Sequence, residues 1–212
     1  MHSQNNQIIV YTDNPESYKS TLLNSLTDIN YCSCPEQLCD EMLEKEYSGL
    51  VLDIHKIMKT PCCIRNRILS FSDNMPTMRA LEKTNKPIFL DSHEDFLCNC
   101  QSNCCAGHED SCPINVNIPV EISLDNDPAM AKGIHGTIHH IFDHGCSFHT
   151  KANLSEHNFL YLKIYELKNQ LPIYVGICSR QNSSDFSCGY KVKFLCIKND
   201  QKQEMNEKFI LS

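Results

Sequence analysis

The 212-residue sequence has no tryptophan, only seven glycines, and just four arginines: Arg65, Arg67, Arg79 and Arg180. No lysine or arginine occurs between Lys86 and Lys132. No apolar run approaches the ~20 residues needed to cross a bilayer. The polar start MHSQNNQ lacks the charged and apolar regions of a secretory leader. These absences argue against membrane insertion and give a cytoplasmic expectation. A net charge of -7 argues against nucleic acid as a partner, because affinity for a phosphate backbone comes from lysine and arginine. There is also no glycine-rich phosphate loop and no metal-hydrolase motif. Cys62, Cys63 and Cys178 have histidines elsewhere in the chain, but no motif pairs a thiol with a base, so the expectation is a protein that is not an enzyme.

What is abundant is cysteine, with fourteen residues. Without a secretory signal, these read as reduced thiols rather than as a disulfide framework. A hydrophobic content of 41% is enough for one or two ordinary cores.

QIIVYT (residues 7–12) is a β-branched run ending at Asp13-Asn14-Pro15. Tyr18, Leu22, Leu23 and Leu26 then follow at helical spacing. A second short strand over residues 29–33, a helix opened by Pro35 and running to Glu46, and the apolar strand SGLVLDI (residues 48–54) complete a βαβαβ pattern. Such a pattern requires a parallel sheet with right-handed crossovers. This half resembles the first part of a response-regulator receiver domain. The resemblance places Asp13 after the first strand and Asp53 in the position of the phospho-acceptor. The remainder departs from it: after a helix-like CCIRNRILSFS, the stretch MPTMRALEKTNKPIFLD stands where two further βα units would be. Lys86 precedes the apolar run 88–90 instead of following it. Residues 1–91 are therefore expected to form a truncated, partly parallel α/β domain whose role is packing or self-association.

Residues 92–113 read as a cysteine-rich acidic linker. Cys98, Cys100, Cys104, Cys105, His108 and Cys112 offer enough thiolate and imidazole for tetrahedral zinc. Their C-x-C and C-C spacing crowds the ligands, however, and a loop of reduced thiols packing as small apolar residues is the competing reading.

From residue 114 onward the pattern changes to short strands. GIHGTIHHIFDHGCSFHT (residues 133–150) is punctuated by Gly136 and Gly145. The runs FLYLKIYEL, LPIYVGICSRQ and CGYKVKFLCI follow, then a partly helical tail. Four or five strands at this spacing describe an antiparallel barrel. Within the histidine-rich run, strict strand alternation would send His139 and His140 to opposite faces.

The order G-x-I-x-x-I-x-x-x-G-C-x-F, then L-x-L-x-I, V-G-I-C-S-R and G-Y-K-V-K-F resembles the PilZ domain, a bacterial module that binds cyclic di-GMP. The resemblance covers about residues 115–210. It implies a six-stranded antiparallel β-barrel over 114–212 and a signalling role with cyclic di-GMP as ligand. The family's D/N-x-S-x-x-G motif, aligned on its glycine, falls on His140, Phe142 and Gly145, and only the glycine is kept. The family's R-x-x-x-R pair would lie in the linker, where Glu109 and Asp110 stand instead. Losing two charge-assisted phosphate contacts of ~1.5–3 kcal/mol each removes about two to four decades of affinity. Arg65, Arg67 and Arg79 are the candidates to replace that pair from the first domain. The expected function is thus a degenerate PilZ-type regulator acting through a protein partner or self-association. The alternative is a zinc-binding or thiol-sensing regulator built on the cysteine-rich stretch.

Overall fold

The structure, a computed structural model, describes residues 7–19, 21, 28–83, 86–105, 113–182 and 188–210. The chain divides into two compact units, Met1–His108 and Glu109–Ser212.

In the first unit, β1 (Gln7–Tyr11), β2 (Asp28–Cys32) and β3 (Gly49–Asp53) alternate with helices α1 (Pro15–Lys19) and α2 (Pro35–Glu44). Then come α3 (Ile54–Lys59), α4 (Cys62–Ser72), β4 (Thr77–Lys83), β5 (Lys86–Phe89) and α5 (His93–Cys105). The sheet order is β2-β1-β3-β4-β5. β1, β3 and β4 run parallel, as does β2, while β5 is antiparallel to β4. This is the expected partly parallel sheet, and the departure from a full receiver has a simple cause. Lys83 pairs with Lys86, and a connection that short can close a hairpin but cannot cross over to a parallel neighbour. The centres of β1 and β3 are apolar because both faces are covered, and Ile8, Ile9, Val10, Leu50 and Val51 are wholly buried. Proline opens α2, and Leu38, Cys39, Met42 and Leu43 form its buried stripe.

The stretch read from the sequence as a linker contains α5. Phe96 and Cys100, four residues apart on one face, are buried in the core of the first unit. They press on Gly49, where a Cβ would stand 2.5 Å from the Cys100 sulfur and 2.8 Å from the Phe96 ring. Here a cysteine acts as a small apolar residue beside Phe96 and the partly buried Leu97, a short apolar stripe that is hard to see among polar neighbours.

In the second unit, β6 (Ile114–Leu124), β7 (Ile134–Phe142), β8 (Gly145–Thr150), β9 (Phe159–Ile164), β10 (Ile173–Asn182) and β11 (Cys188–Cys196) form a closed barrel. The order is β10-β11-β8-β7-β6-β9, every pairing is antiparallel, and β9–β10 contacts complete the circle. Closure leaves no open edge. Alternate residues fill the interior, among them Ile122, Ile138, Phe148, Leu162, Val175 and Val192. After β11, helix α6 (Asn199–Met205) runs into a π-helical turn (Asn206–Ile210), and Met205 joins the barrel core. Buried Gln201 fastens this tail by donating to the carbonyl oxygens of Asn169 (3.2 Å) and Leu171 (2.8 Å) and accepting from the Lys198 amide (3.1 Å).

Candidate functional site

The outer surface of β7, β8 and β11 brings His140, Phe142 and Gly145 together. Phe142 pairs with Gly145 across the tight β7–β8 turn, and Gly145 pairs in turn with Lys193 on β11. An added Cβ at Gly145 would lie 2.0 Å from the Val192 carbonyl oxygen, so close backbone approach, not an unusual dihedral angle, requires glycine there.

The register along β7 is irregular. Ile138 pairs with Phe148 and His140 with Ser147, leaving His139 as an extra residue between them. The bulge sets both histidines between the buried Ile138 and Ile141, so strict alternation does not separate them. The His139 ring lies 4.6 Å from that of His149, and His140 Nδ1 shares a 2.8 Å hydrogen bond with Ser147 Oγ. Burial, followed by the neighbouring imidazoles of His149 and His140, holds the His139 pKa below the ordinary histidine value. The expectation that the two rings face opposite ways is therefore corrected by a bulge that no local pattern announces.

Two lysines that the sequence reading did not single out complete the patch. Lys191 places its ammonium 4.8 Å from the centre of the Phe142 ring, and Lys193 stands beside Gly145. The signal was present in the run YKVKF, where lysines two apart on a strand must share its outer face.

Arg180 donates to the His157 carbonyl oxygen (3.0 Å) and Asn158 Oδ1 (2.7 Å). Arg79 forms a bidentate pair with Asp91 at 3.0 and 2.6 Å, which holds the Asp91 carboxyl below its usual range. Arg65 and Arg67 lie on α4, where Arg67 is electrostatically coupled to Cys39.

Of the cysteine cluster, Cys98 is exposed and Cys100 is a core residue, which removes Cys100 from any ligand set. The side chains of Cys104 and Cys105, and His108 and Cys112 entirely, lie outside the described residues. Among the described residues, no group of three or more His, Cys, Asp or Glu side chains is placed to hold a metal ion.

In the first unit, the buried Asp53 caps α3, its Oδ1 accepting from the amides of His55 (2.9 Å) and Lys56 (3.4 Å). Thr12 Oγ1 donates to Asp53 Oδ2 at 3.4 Å, and Lys56 makes an ion pair with Asp13.

No family model matches this sequence, and no curated protein matches it. Several solved structures are similar to it. An inhibitor of motility from Bacillus subtilis (MotI/DgrA) is 12% identical, with a TM-score of 0.38 over 62% of this chain and 56% of that one. The PilZ domain of Escherichia coli YcgR with c-di-GMP is 7% identical, with a TM-score of 0.35 over 47% of this chain and 86% of that one. Borreliella burgdorferi PlzA in complex with c-di-GMP is 13% identical, with a TM-score of 0.31 over 44% of this chain and 46% of that one. The chain spans just over half the length of the first of these and under half of the last. The second unit is a closed six-stranded antiparallel barrel on its own strand order. Among the described residues, no helix is long and apolar enough to cross a membrane.

Proposed function

We propose that this chain is a non-enzymatic signalling regulator of the PilZ type, with a degenerate cyclic di-GMP site, and that it acts through protein contacts. The sequence order across residues 133–195 and the closed barrel support the family reading. The outer face at the motif positions supports the loss of ligand. A cyclic dinucleotide presents two phosphates and guanine faces, which guanidinium groups bind bidentately and by stacking and which ammonium groups serve less well. The observation that carries this reading is the state of Arg180, the barrel's own arginine, whose guanidinium is bonded to His157 and Asn158 on a neighbouring loop. At the motif positions themselves, His140 is bonded to Ser147 and Phe142 is covered by Lys191.

Calorimetric titration of the full chain with cyclic di-GMP at low ionic strength, where electrostatic attraction is least screened, tests the reading. The expected result is weak or undetectable heat. A dissociation constant of about a micromolar or tighter would overturn it. In that case Arg65→Ala, Arg67→Ala and Arg79→Ala would reveal whether the first unit supplies the guanidinium groups.

A further inference from the structure

We propose that the outer face formed by β7, β8, β11 and β10 is a docking surface for an acidic protein segment, and that its histidines couple docking to proton uptake. The proposal rests on the reading that the chain acts through protein contacts. It names the chemistry of the partner.

The charge distribution carries the argument. The chain has 26 Asp and Glu residues, yet the four contiguous strands β10-β11-β8-β7 contain none. Their outward positions hold His135, His139, His140, His149, Lys191 and Lys193, while Arg180 pairs with the core residue Tyr190 and is bonded to the loop at His157 and Asn158. A protein of net charge -7 thus keeps one continuous basic wall. Lys191 and Lys193 project from the same side of β11 roughly 7 Å apart, the spacing of alternate side chains on an extended strand. An acidic segment lying along the wall would meet them with every second carboxylate. Phe142, beneath the Lys191 ammonium, and Ser147 supply an apolar and a hydroxyl contact between the charges. A flat strand surface of this kind favours an extended polypeptide over a polyanion with regularly spaced phosphates, for which guanidinium forks are wanted and the one arginine is already bonded.

The groups that face the histidines make the proton linkage. On β7 and β8, His139 and His149 are in ring contact, and His140 is a second neighbour of His139. β11 adds Lys191 and Lys193, and β10 adds the neutral Ser179 opposite Lys191. From β6 come the neutral Asn115 and, at the far end opposite His135, Glu121, whose Oε2 accepts from Tyr165 Oη. Asp143 and His144 occupy the turn at the other end. Protonating His139 in the free protein therefore means charging a partly buried ring against the neighbouring imidazoles of His149 and His140. Carboxylates from a partner remove that repulsion, so binding takes up protons, and by reciprocity acidification strengthens binding.

The test uses the full chain and a fluorescein-labelled oligoglutamate peptide, followed by anisotropy at low salt, with the peptide ionised at both pH values used. Affinity is expected to rise by about tenfold between pH 7.5 and pH 6.0. Lys191→Glu with Lys193→Glu should abolish binding, and the milder Lys191→Gln with Lys193→Gln should weaken it while keeping the parent's melting curve. His139→Asn with His149→Asn should flatten the pH dependence of binding. Absent binding, binding indifferent to pH, or binding retained in both lysine variants would overturn the proposal. Tighter binding to single-stranded DNA or to anionic vesicles would also overturn it, assigning the wall to another class of partner. Cyclic di-GMP titrated in parallel separates the two readings. Tight nucleotide binding defeats the function proposed above, whereas silence towards both nucleotide and peptide defeats only the present inference.

Discussion

The ammonium of Lys56, in the first turn of α3, is paired with the carboxylate of Asp13, just beyond β1. The Lys56 side chain is only 10% exposed, and its ammonium also lies 4.8 Å from the centre of the Tyr11 ring. A protein cation thus occupies the carboxylate that follows β1, while Asp53 is engaged by backbone amides of α3.

Phosphoryl transfer to Asp53 is therefore expected to fail. Incubation with acetyl phosphate and magnesium should leave the intact mass unchanged, and a gain of one phosphoryl group would contradict this. Asp53→Ala should destabilise the first unit by about 1–2 kcal/mol in urea unfolding, because it removes the cap of α3.

Gly145→Val should cost the barrel about 3 kcal/mol, since the added atoms meet the Val192 backbone and cannot be accommodated by a side-chain rotation. Gly133→Ala provides the contrast. There the new Cβ meets the Glu121 side chain, which can move, so the loss should be smaller than for Gly145→Ala. Equal melting of Gly145→Val and the parent would show that β8 does not approach β11 as described.

Stability should fall as pH drops through the histidine range. The folded-state pKa of His139 is lowered, so between that value and the unfolded value of about 6.5 the unfolded chain binds more protons. The contribution is intact above about pH 6.5 and lost on acidification. Urea midpoints at pH 7.5 and 5.5 should differ in the parent and differ less in His139→Asn. The lowered carboxyl groups of Asp91 and Asp127 act in a separate window below the ordinary carboxylate range.

Thiol reactivity should divide the cysteines by burial. Cys34, Cys62, Cys63, Cys98 and Cys196 are exposed and should react with a disulfide reagent in the native protein. Cys39 and Cys146 should react only on unfolding. Burial pushes the Cys39 thiol up to about 12 and the fully enclosed Cys146 thiol higher still. Fast native-state labelling of Cys146 would contradict the packing of the barrel core.

The residues themselves determined the local elements. The β-branched run at Ile8, Ile9 and Val10, the Pro35 helix start and the apolar stripe Leu38, Cys39, Met42 and Leu43 each carry the period of the element they form. The alternation through Phe159–Ile164 and Cys188–Cys196 likewise marks barrel strands, because a strand with one face on a core must alternate. Gly145 stood out only as the motif glycine kept in the resemblance, and the close approach of the Val192 carbonyl oxygen that excludes a side chain there is tertiary. What only the tertiary structure decided is non-local. The α5 helix owes its place to Phe96 and Cys100 docking on Gly49, about fifty residues earlier in the chain. The antiparallel β4–β5 pair exists because that chain turns back too soon for a crossover. At the candidate site, the bulge at His139 reverses the facing expected from alternation, and β11 brings Lys191 and Lys193 beside residues 142–147 only because the barrel closes with β8 and β11 as neighbours. A strand's period says which side chains share a face, but the neighbour across that face, and any residue the register skips, follow from the long-range pairing that closes the barrel.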